Sequence, residues 1–593
     1  MKKEIVLLQN EMKKHGITMY LVPTGDEHQS EYVPEYYKFR EYLSGFTGSA
    51  GSLLVTNEEA LLWTDGRYFV QAEKELENSG IILMKSGEKG VPTIAEYISS
   101  KIECGNILGF HGALFNYEQS IYLIGCVKEK GAFVLDIDLA CKVWKNSPAM
   151  DCSKIKRLES CYTGCSVQEK LKQIREKMKQ RNTDIHVVSS LDDIAWIFNL
   201  RGNDIPYNPV FYSYAVITME QTILFVKPFT VSDDLTEWLK QEQIELRDYF
   251  DFFDYLKNEI CSRKVLLDKM RSSYKTCSIL MEKNELFFEE NPSVLLKSVK
   301  NEVECANLTA AHETDGLVMC RFIYWIKKKI KEGAAVTEWE AAEYLDKMRL
   351  EAEGCLDLSF DTIAAYGSNA AMCHYAPSRE NPVYLKPEGF FLVDAGGQYL
   401  KGTTDVTRTI VLGELSQEQK LHYTLVLQGN IRLAMAHFPE GICGANLDIL
   451  ARGPLWQYGL DFNHGTGHGV GYCLNVHEGP NNIHWNLQRK NAKTVPFKPG
   501  MLTSDEPGLY LEGKYGIRLE NLLLTKKSEK TEGFLAFDTV TKVVFDREAI
   551  LPKLLSEEEK NWLNAYHQNV YELYAEKMTS EEAAWLKSAA EAL

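Results

Sequence analysis

Apolar and polar positions along this chain fall into three stretches. In the first, Leu53-Leu54-Val55-Thr56 and Ala60-Leu61-Leu62-Trp63-Thr64 flank the polar turn Asn57-Glu58-Glu59, which predicts a hairpin. Asp65-Gly66 then leads into Arg67-Tyr68-Phe69-Val70-Gln71-Ala72, a helical run. Helical and strand patterns alternate to about residue 160, which indicates an α/β domain. A second start follows at Ser166-Val167-Gln168-Glu169, a capping box opening a charged amphipathic helix to Lys179. After it come His186-Val187-Val188, the run Ile194 to Phe198, and strand candidates at Tyr214 to Ile217 and Thr222 to Val226. The first stretch has a similar order: a helix, Met19-Tyr20-Leu21-Val22, Ser44-Gly45-Phe46-Thr47-Gly48, then the hairpin. The two read as a distant internal duplication.

The third stretch begins after Asn291-Pro292 with a helical pattern from Val294 to about Lys331. Strand-like, glycine-rich sequence fills Phe360 to Thr525. Two amphipathic tail helices follow, one opening at the capping box Ser556-Glu557-Glu558-Glu559, the other near Thr579-Ser580-Glu581-Glu582. Their aromatic residues suit packing on their own domain, with a subunit interface as the second reading. The expected domains are residues 1–160, 161–299 and 300–593.

Composition narrows the class. A chain of 593 residues is about four times a ~150-residue domain, which agrees with several domains. With 45% apolar and 25% charged residues it is ordinary globular sequence, not disordered, collagenous or coiled-coil. A net charge of −17 repels nucleic acid and anionic membrane, so neither is an expected partner. The run Ile5-Val6-Leu7-Leu8 is too short for a signal-peptide core, and no stretch reaches the ~20 apolar residues of a membrane span. A cytoplasmic location is expected. The 14 cysteines are scattered, and Cys161 and Cys165 lack a second pair, so free thiols are expected rather than a zinc ribbon or disulfides.

Seven of the 13 histidines lie between residues 374 and 484, among them His374, His464, His468, His477 and His484. In His464-Gly465-Thr466-Gly467-His468-Gly469-Val470-Gly471, the His-x-x-x-His spacing would suit a zinc helix. That motif needs Glu directly after the first His, and alternating glycines make a poor helix. An extended strand is expected, its glycines admitting another backbone or a ligand, with His464 and His468 facing one cleft. Carboxylates surround it in apolar settings. Asp394 ends the run Phe390 to Val393, and Asp405 precedes a β-branched run. Glu506 precedes Pro507-Gly508, and Glu520 shares a strand face with Arg518. Such carboxylates cost several kcal/mol unless paired with cations. Structural ion pairs account for one of them but strain to account for four beside a histidine. Four carboxylates and one imidazole suit Mn²⁺, Mg²⁺, Co²⁺ or Zn²⁺ in a two-metal site, where water ionises near neutral pH.

Asp394, Asp405, His468, Glu506 and Glu520, which are 11, 63, 38 and 14 residues apart in turn, resemble the dimetal ligands of the pita-bread metallopeptidases. His374-Tyr375-Ala376-Pro377, Gly402 to Thr409, His464 to Gly471, Asn475 to Pro480 and Gly516 to Asn521 are similar to the cytosolic three-domain Xaa-Pro aminopeptidases (aminopeptidase P). So are Leu43 to Gly51, Trp63 to Tyr68, Asn199-Leu200-Arg201-Gly202 and Trp562 to His567, so the resemblance covers nearly the whole chain. It implies two related N-terminal α/β domains of creatinase N-terminal type and a C-terminal pita-bread catalytic domain. It implies cleavage of the bond before a penultimate proline by a hydroxide bridging two divalent metals, with Mn²⁺ expected and Zn²⁺ or Co²⁺ as alternatives. Asp405 and Glu520 would bridge both metals, Asp394 would chelate one, and His468 with Glu506 would hold the other. Glu506 would shuttle the proton, His374 and His477 would contact substrate and the oxyanion, and His464 would line the proline pocket. Arg518 and Tyr510 would support the ligands. The partners implied are peptides with proline at position two and a second copy of the chain, joined through the third domain.

Two rivals share the fold: an Xaa-Pro dipeptidase (prolidase-like), against which the length and tail argue, and a creatinase-like C–N hydrolase, which lacks the five ligands. A non-catalytic binding protein is the third, and such relatives have typically lost ligands that are all present here.

Overall fold

The computed structural model describes residues 2–373, 375–486 and 494–593. The chain divides into two compact units. One comprises Met1–Arg157, Ser166–Pro206 and Val210–Ser293; the other comprises Leu158–Cys165, Tyr207–Pro209 and Val294–Leu593. Among the described residues no helix is long and apolar enough to cross a membrane.

The first unit holds two six-stranded mixed sheets. Helix α1 (Lys3–Lys14) buries Ile5, Leu8 and Met12 from one face and precedes the first sheet. That sheet contains β1 (Met19–Pro23), β2 (Ser52–Thr56), β3 (Ala60–Thr64), β4 (Ile82–Lys85), β5 (Ile107–Phe110) and β6 (Phe133–Asp136), in the order β4-β3-β2-β1-β5-β6. Helix α2 (Val167–Gln180) opens on the Ser166/Glu169 capping box. It precedes β7 (Ile185–Val188), β8 (Ser213–Thr218), β9 (Thr222–Val226), β10 (Glu245–Asp248), β11 (Lys264–Leu267) and β12 (Glu285–Phe288). Their order is β10-β9-β8-β7-β11-β12. In both sheets the first strand pairs antiparallel with a hairpin on one side and parallel with a later strand on the other. The internal duplication is therefore one of topology.

The conformation of Leu43 to Gly51 in this unit has local structural causes. Arg40 donates from Nη1 to the Phe46 carbonyl (2.7 Å) and from Nη2 to that of Gly48 (2.6 Å), which pins the glycine-rich loop before β2. Gly45 ends the preceding helix at φ +77°, where a side chain would be strained.

In the second unit the helical pattern expected to run from Val294 is two helices, Pro292–Ser298 and α3 (Glu302–Lys331). The break has a tertiary cause: Lys300 N–H donates to the Gly500 carbonyl (3.0 Å), and Asn301 caps α3 by accepting from Val303 and Glu304. Helix α4 (Glu338–Leu350) follows. Strands β13 (Ile363–Tyr366), β14 (Phe390–Ala395) and β15 (Val406–Val411) form an antiparallel sheet with β14 in the middle. Helix α5 (Gln417–Ala434) comes next in sequence, then a second sheet of β16 (His437–Pro439), β19 (Leu502–Asp505), β22 (Asn521–Lys527) and β23 (Phe534–Thr539), with helix α6 (Gly444–Trp456) following β16. That sheet has the order β16-β23-β22-β19. The unit also holds a three-stranded sheet of Cys355–Leu358, Gly397–Tyr399 and Gly402–Thr403, and two short pairs: β17 (Gly467–His468) with β18 (Asn482–Ile483), and β20 (Gly508–Leu511) with β21 (Tyr515–Arg518).

One core joins α3 (Met319, Phe322), β14 (Phe391, Val393) and the tail helix α7 (Glu557–Tyr574; Leu563, Val570). Each such side chain contributes about 1.5–3 kcal/mol on burial. The tail thus packs on its own unit, with the last helix, α8 (Ser580–Ala589), adding Leu586.

The strand expected over His464 to Gly471 is regular only at Gly467–His468, with an isolated bridge from Gly469 to Thr503. A Cβ on Gly467 would lie 1.9 Å from the Ser504 carbonyl oxygen, and one on Gly469 would lie 2.1 Å from that of Glu478. The glycines let this segment press backbone to backbone against its neighbours, which leaves little room for a regular ladder. The strand containing Arg518 likewise stops before Glu520, yet both side chains still reach Thr407.

Candidate active site

Five elements bring carboxylates and imidazoles to one place. Asp394 lies near the end of β14, and Asp405 stands just ahead of β15. His468 sits on β17, Glu506 follows β19, and Glu520 lies between β21 and β22. Ligand atoms of Asp405, His468 and Glu520 all lie within 4.8 Å of one another. His468 Nε2 is 3.5 Å from Asp405 Oδ2 and 3.6 Å from Glu506 Oε1. Its Nδ1 faces the Gly469 carbonyl at 3.0 Å, which can only accept, so Nδ1 carries a proton and Nε2 points at the carboxylates.

The electrostatics of the cluster favour bound positive charge. Burial and then repulsion from Asp405, Asp394 and Glu506 push the Glu520 carboxyl well above the usual range. Burial lifts Glu506 to about 7 against the pull of His468 and Arg518. Burial also raises Asp394, opposed by Arg518. Burial opposes a charge on His468, yet its hydrogen bond to Asp405 and the Glu506 charge carry it up to about 9. Asp394 Oδ2 accepts from Arg518 Nη2 (2.5 Å), while its buried Oδ1 has no hydrogen-bond partner among the described residues. An oxygen-rich set with an orphaned carboxylate oxygen and mutually repelling acids fits hard divalent cations. Four carboxylates match the charge of two such ions.

The remaining predicted residues lie around this set, with one exception. Arg518 also donates to the Tyr510 hydroxyl (2.7 Å) and from Nε to Thr407 Oγ1 (3.2 Å). The Tyr510 hydroxyl lies 2.9 Å from His464 Nε2, joining Asp394, Arg518, Tyr510 and His464 in one chain of contacts. The His477 ring meets that of His468 edge-on, with centroids 4.5 Å apart. His374 lies outside the described residues; next to it, the Tyr375 hydroxyl donates to the buried Glu338 (2.6 Å).

Sequence reasoning missed two supporting groups and one buried acid. Thr407 Oγ1 donates to Glu520 Oε2 (2.8 Å). Ser504 Oγ accepts from His468 N–H (2.9 Å) and donates to Glu506 Oε1 (3.2 Å). Asp505 is fully buried, and neither carboxyl oxygen has a hydrogen-bond partner among the described residues. Thr407 was accessible by strand alternation, being two residues from Asp405 and so on the same face. Nothing local distinguishes Ser504 or Asp505.

Comparison with known proteins bears on the whole chain. The profile of Metallopeptidase family M24 matches residues 306–527, and that of the C-terminal region of peptidase M24 matches 533–593. Two Creatinase/Prolidase N-terminal domain profiles match residues 5–130 and 146–304. The chain is 38% identical over 605 residues to a probable Xaa-Pro aminopeptidase P of Botryotinia fuckeliana, covering 99% of this chain and 92% of that protein. Among solved structures, an X-prolyl aminopeptidase from Caenorhabditis elegans, described as a cytosolic enzyme with a di-nuclear active site, superposes with TM-score 0.91. It is 34% identical and the match covers 97% of this chain and 95% of that one. An Xaa-Pro dipeptidase from Bacillus anthracis shares the fold over 64% of this chain, with TM-score 0.51 and 22% identity.

Proposed function

This chain belongs to the Xaa-Pro aminopeptidase P group of metallopeptidase family M24, and from that membership we propose that it is a metal-dependent aminopeptidase releasing the first residue of peptides whose second residue is proline. Its two creatinase-type halves precede a pita-bread catalytic unit. The observation that carries the reading is similarity over the full length, tail included, to aminopeptidases, whereas the dipeptidase matches only 64% of the chain.

Asp394, Asp405, His468, Glu506 and Glu520 would hold two divalent cations, for which we propose Mn²⁺. When bound, these supply Lewis acidity and a water that ionises near neutral pH. The protein's own groups do the rest. Glu506, whose carboxyl sits near 7 without metal, is suited to take a proton from the attacking water and return it to the departing proline nitrogen. His477, set against His468, faces the reacting carbonyl and stabilises the tetrahedral oxyanion, with His374 as its partner in substrate contact. His464, held by Tyr510 and packed on Phe462, forms a wall for the proline ring. Proline has no N–H to offer and a fixed φ, so ring shape replaces backbone hydrogen bonding in its recognition.

We also propose a homodimer through the catalytic unit. Ile449, Trp456, Tyr458 and Trp485 are about half exposed on and beyond α6, and the rings of Trp456 and Trp485 are 6.5 Å apart. Exposed aromatics in this number suit an interface core. The description of the worm relative as a cytosolic enzyme supports a cytoplasmic location.

The test is a digest of Arg-Pro-Pro, Arg-Ala-Pro and Arg-Pro by Mn²⁺-loaded protein, read by mass spectrometry. Release of arginine from Arg-Pro-Pro alone is expected. No cleavage would remove the enzyme reading, and cleavage of Arg-Pro only would make the protein a dipeptidase.

A further inference from the structure

Helix α6 carries a charged pair that none of the roles above uses. Arg452 and Asp448 lie one turn apart, both fully buried, with Arg452 Nε 2.7 Å from Asp448 Oδ2. Desolvating two charges offsets much of their attraction, so a pair confined to its own helix would add little to stability. This pair is not so confined. Arg452 Nη2 donates to the His464 carbonyl (2.7 Å), and Nη1 donates to the Phe462 carbonyl (2.6 Å) and to Asp461 Oδ1 (2.7 Å). The guanidinium also stacks on the Phe462 ring, 3.8 Å from its centroid. On the other side Asp448 Oδ1 accepts from Thr466 Oγ1 (2.7 Å).

One guanidinium and one carboxylate thus hold residues 462, 464 and 466 at three points. The Phe462 ring lies 4.8 Å from the His464 imidazole, so the same guanidinium fixes both the backbone of His464 and the ring it leans on. The link to the carboxylate cluster is longer. It passes through Asp448 and Thr466, whose carbonyl accepts the Glu506 N–H (2.9 Å). Loosening Arg452 therefore shifts the His464–Phe462 wall directly and Glu506 only at second hand.

We propose that Arg452 is a positioning residue that sets selectivity for the ring at position two of the substrate, by fixing the His464–Phe462 wall. The assignment rests on the reading of His464 as part of the proline pocket. Lysine cannot substitute, because its single ammonium cannot reach acceptors on three sides while stacking on a ring.

The experiment compares Mn²⁺-loaded wild type with Arg452→Lys on three peptides: Arg-Pro-Pro and its analogues with azetidine-2-carboxylic acid or pipecolic acid at position two. The quantity read is the ratio of kcat/KM between rings, which does not depend on the fraction of folded enzyme. The expected result is at least a tenfold loss of preference for the proline ring, carried by KM, with Mn²⁺ affinity by calorimetry unchanged. Phe462→Leu leaves the ion pair intact and is expected to shift the ratio in the same direction. It decides the matter should Arg452→Lys not fold. An equal fall on all three peptides, or an unchanged ratio in Phe462→Leu, would overturn the assignment. Wild type that cleaves none of the peptides would instead remove the aminopeptidase reading, and this assignment with it.

Discussion

The hydroxyl of Thr407 stands 2.8 Å from Glu520 Oε2 and donates to it, while the same oxygen accepts from Arg518 Nε. Thr407 thereby ties a proposed bridging carboxylate to the guanidinium that also holds Asp394. Hydrogen bonds to ligand carboxylates fix their orientation, and losing one typically weakens metal binding by about 10–100-fold. Thr407→Val keeps the shape and removes the donor. It should lower Mn²⁺ affinity by about tenfold or more in calorimetry, and Thr407→Ser should restore it. Equal affinities in wild type and the valine variant would leave Thr407 with a packing role only.

Glu506→Gln is nearly isosteric but cannot accept a proton. At saturating Mn²⁺, with metal content checked by elemental analysis, kcat on Arg-Pro-Pro should fall by about 10²–10⁴-fold, the usual contribution of general acid–base catalysis. KM should change far less. A variant that retains kcat with both metals bound would strip Glu506 of the proton-shuttle role.

Features governed by near neighbours are legible in the sequence. The capping boxes at Ser166/Glu169, Ser556/Glu559 and Thr579/Glu582 depend only on residues three apart, and each forms. The hairpin of β2 and β3 is likewise local. Asp394 and Asp405 stand out because acids beside β-branched runs are costly in a core unless something charged meets them. Long-range relationships are not legible. The helix start at Asn301 carries a local signal in the Asn301/Glu304 capping box, but the contact that accompanies the break, Lys300 to Gly500, spans 200 residues of sequence and is not legible. Asp448 and Arg452 have the i,i+4 spacing of an ordinary surface pair, and only the fold reveals that both are buried. The glycines of His464 to Gly471 signal close approach, but the partners, Ser504 and Glu478, emerge only from the packing.

The proposed dimer has a surface test. Trp456 is exposed at the end of α6 and makes its ring contact with Trp485, so a charge there should not disturb the fold of the subunit. Burying that charge in an interface would be costly. Trp456→Glu should therefore convert a dimer to a monomer in sedimentation velocity, with circular dichroism unchanged. A wild-type monomer, or a Trp456→Glu dimer, would exclude this face.

His567 predicts a pH dependence of stability in the catalytic unit. The side chain is buried on α7, and its Nε2 accepts the Phe545 N–H at 3.0 Å, so the ring is neutral with its proton on Nδ1. Burial first, then the positive charges of Arg408 and Arg547, push its pKa down to about 3. In the unfolded chain an ordinary histidine titrates near ~6.5. Below that pH the unfolded state takes up a proton that the folded state refuses until about pH 3, so stability is full above ~6.5 and falls as pH drops. The loss is about 1.4 kcal/mol per pH unit, or about 2 kcal/mol between pH 6.5 and 5. His567→Gln keeps an acceptor for Phe545 N–H but cannot protonate. Urea titrations at pH 7 and pH 5, following the transition that contains α7, should show wild type losing about 2 kcal/mol more than the variant over that interval. Parallel losses in the two proteins would mean that His567 is already protonated in the folded state or is not buried as described.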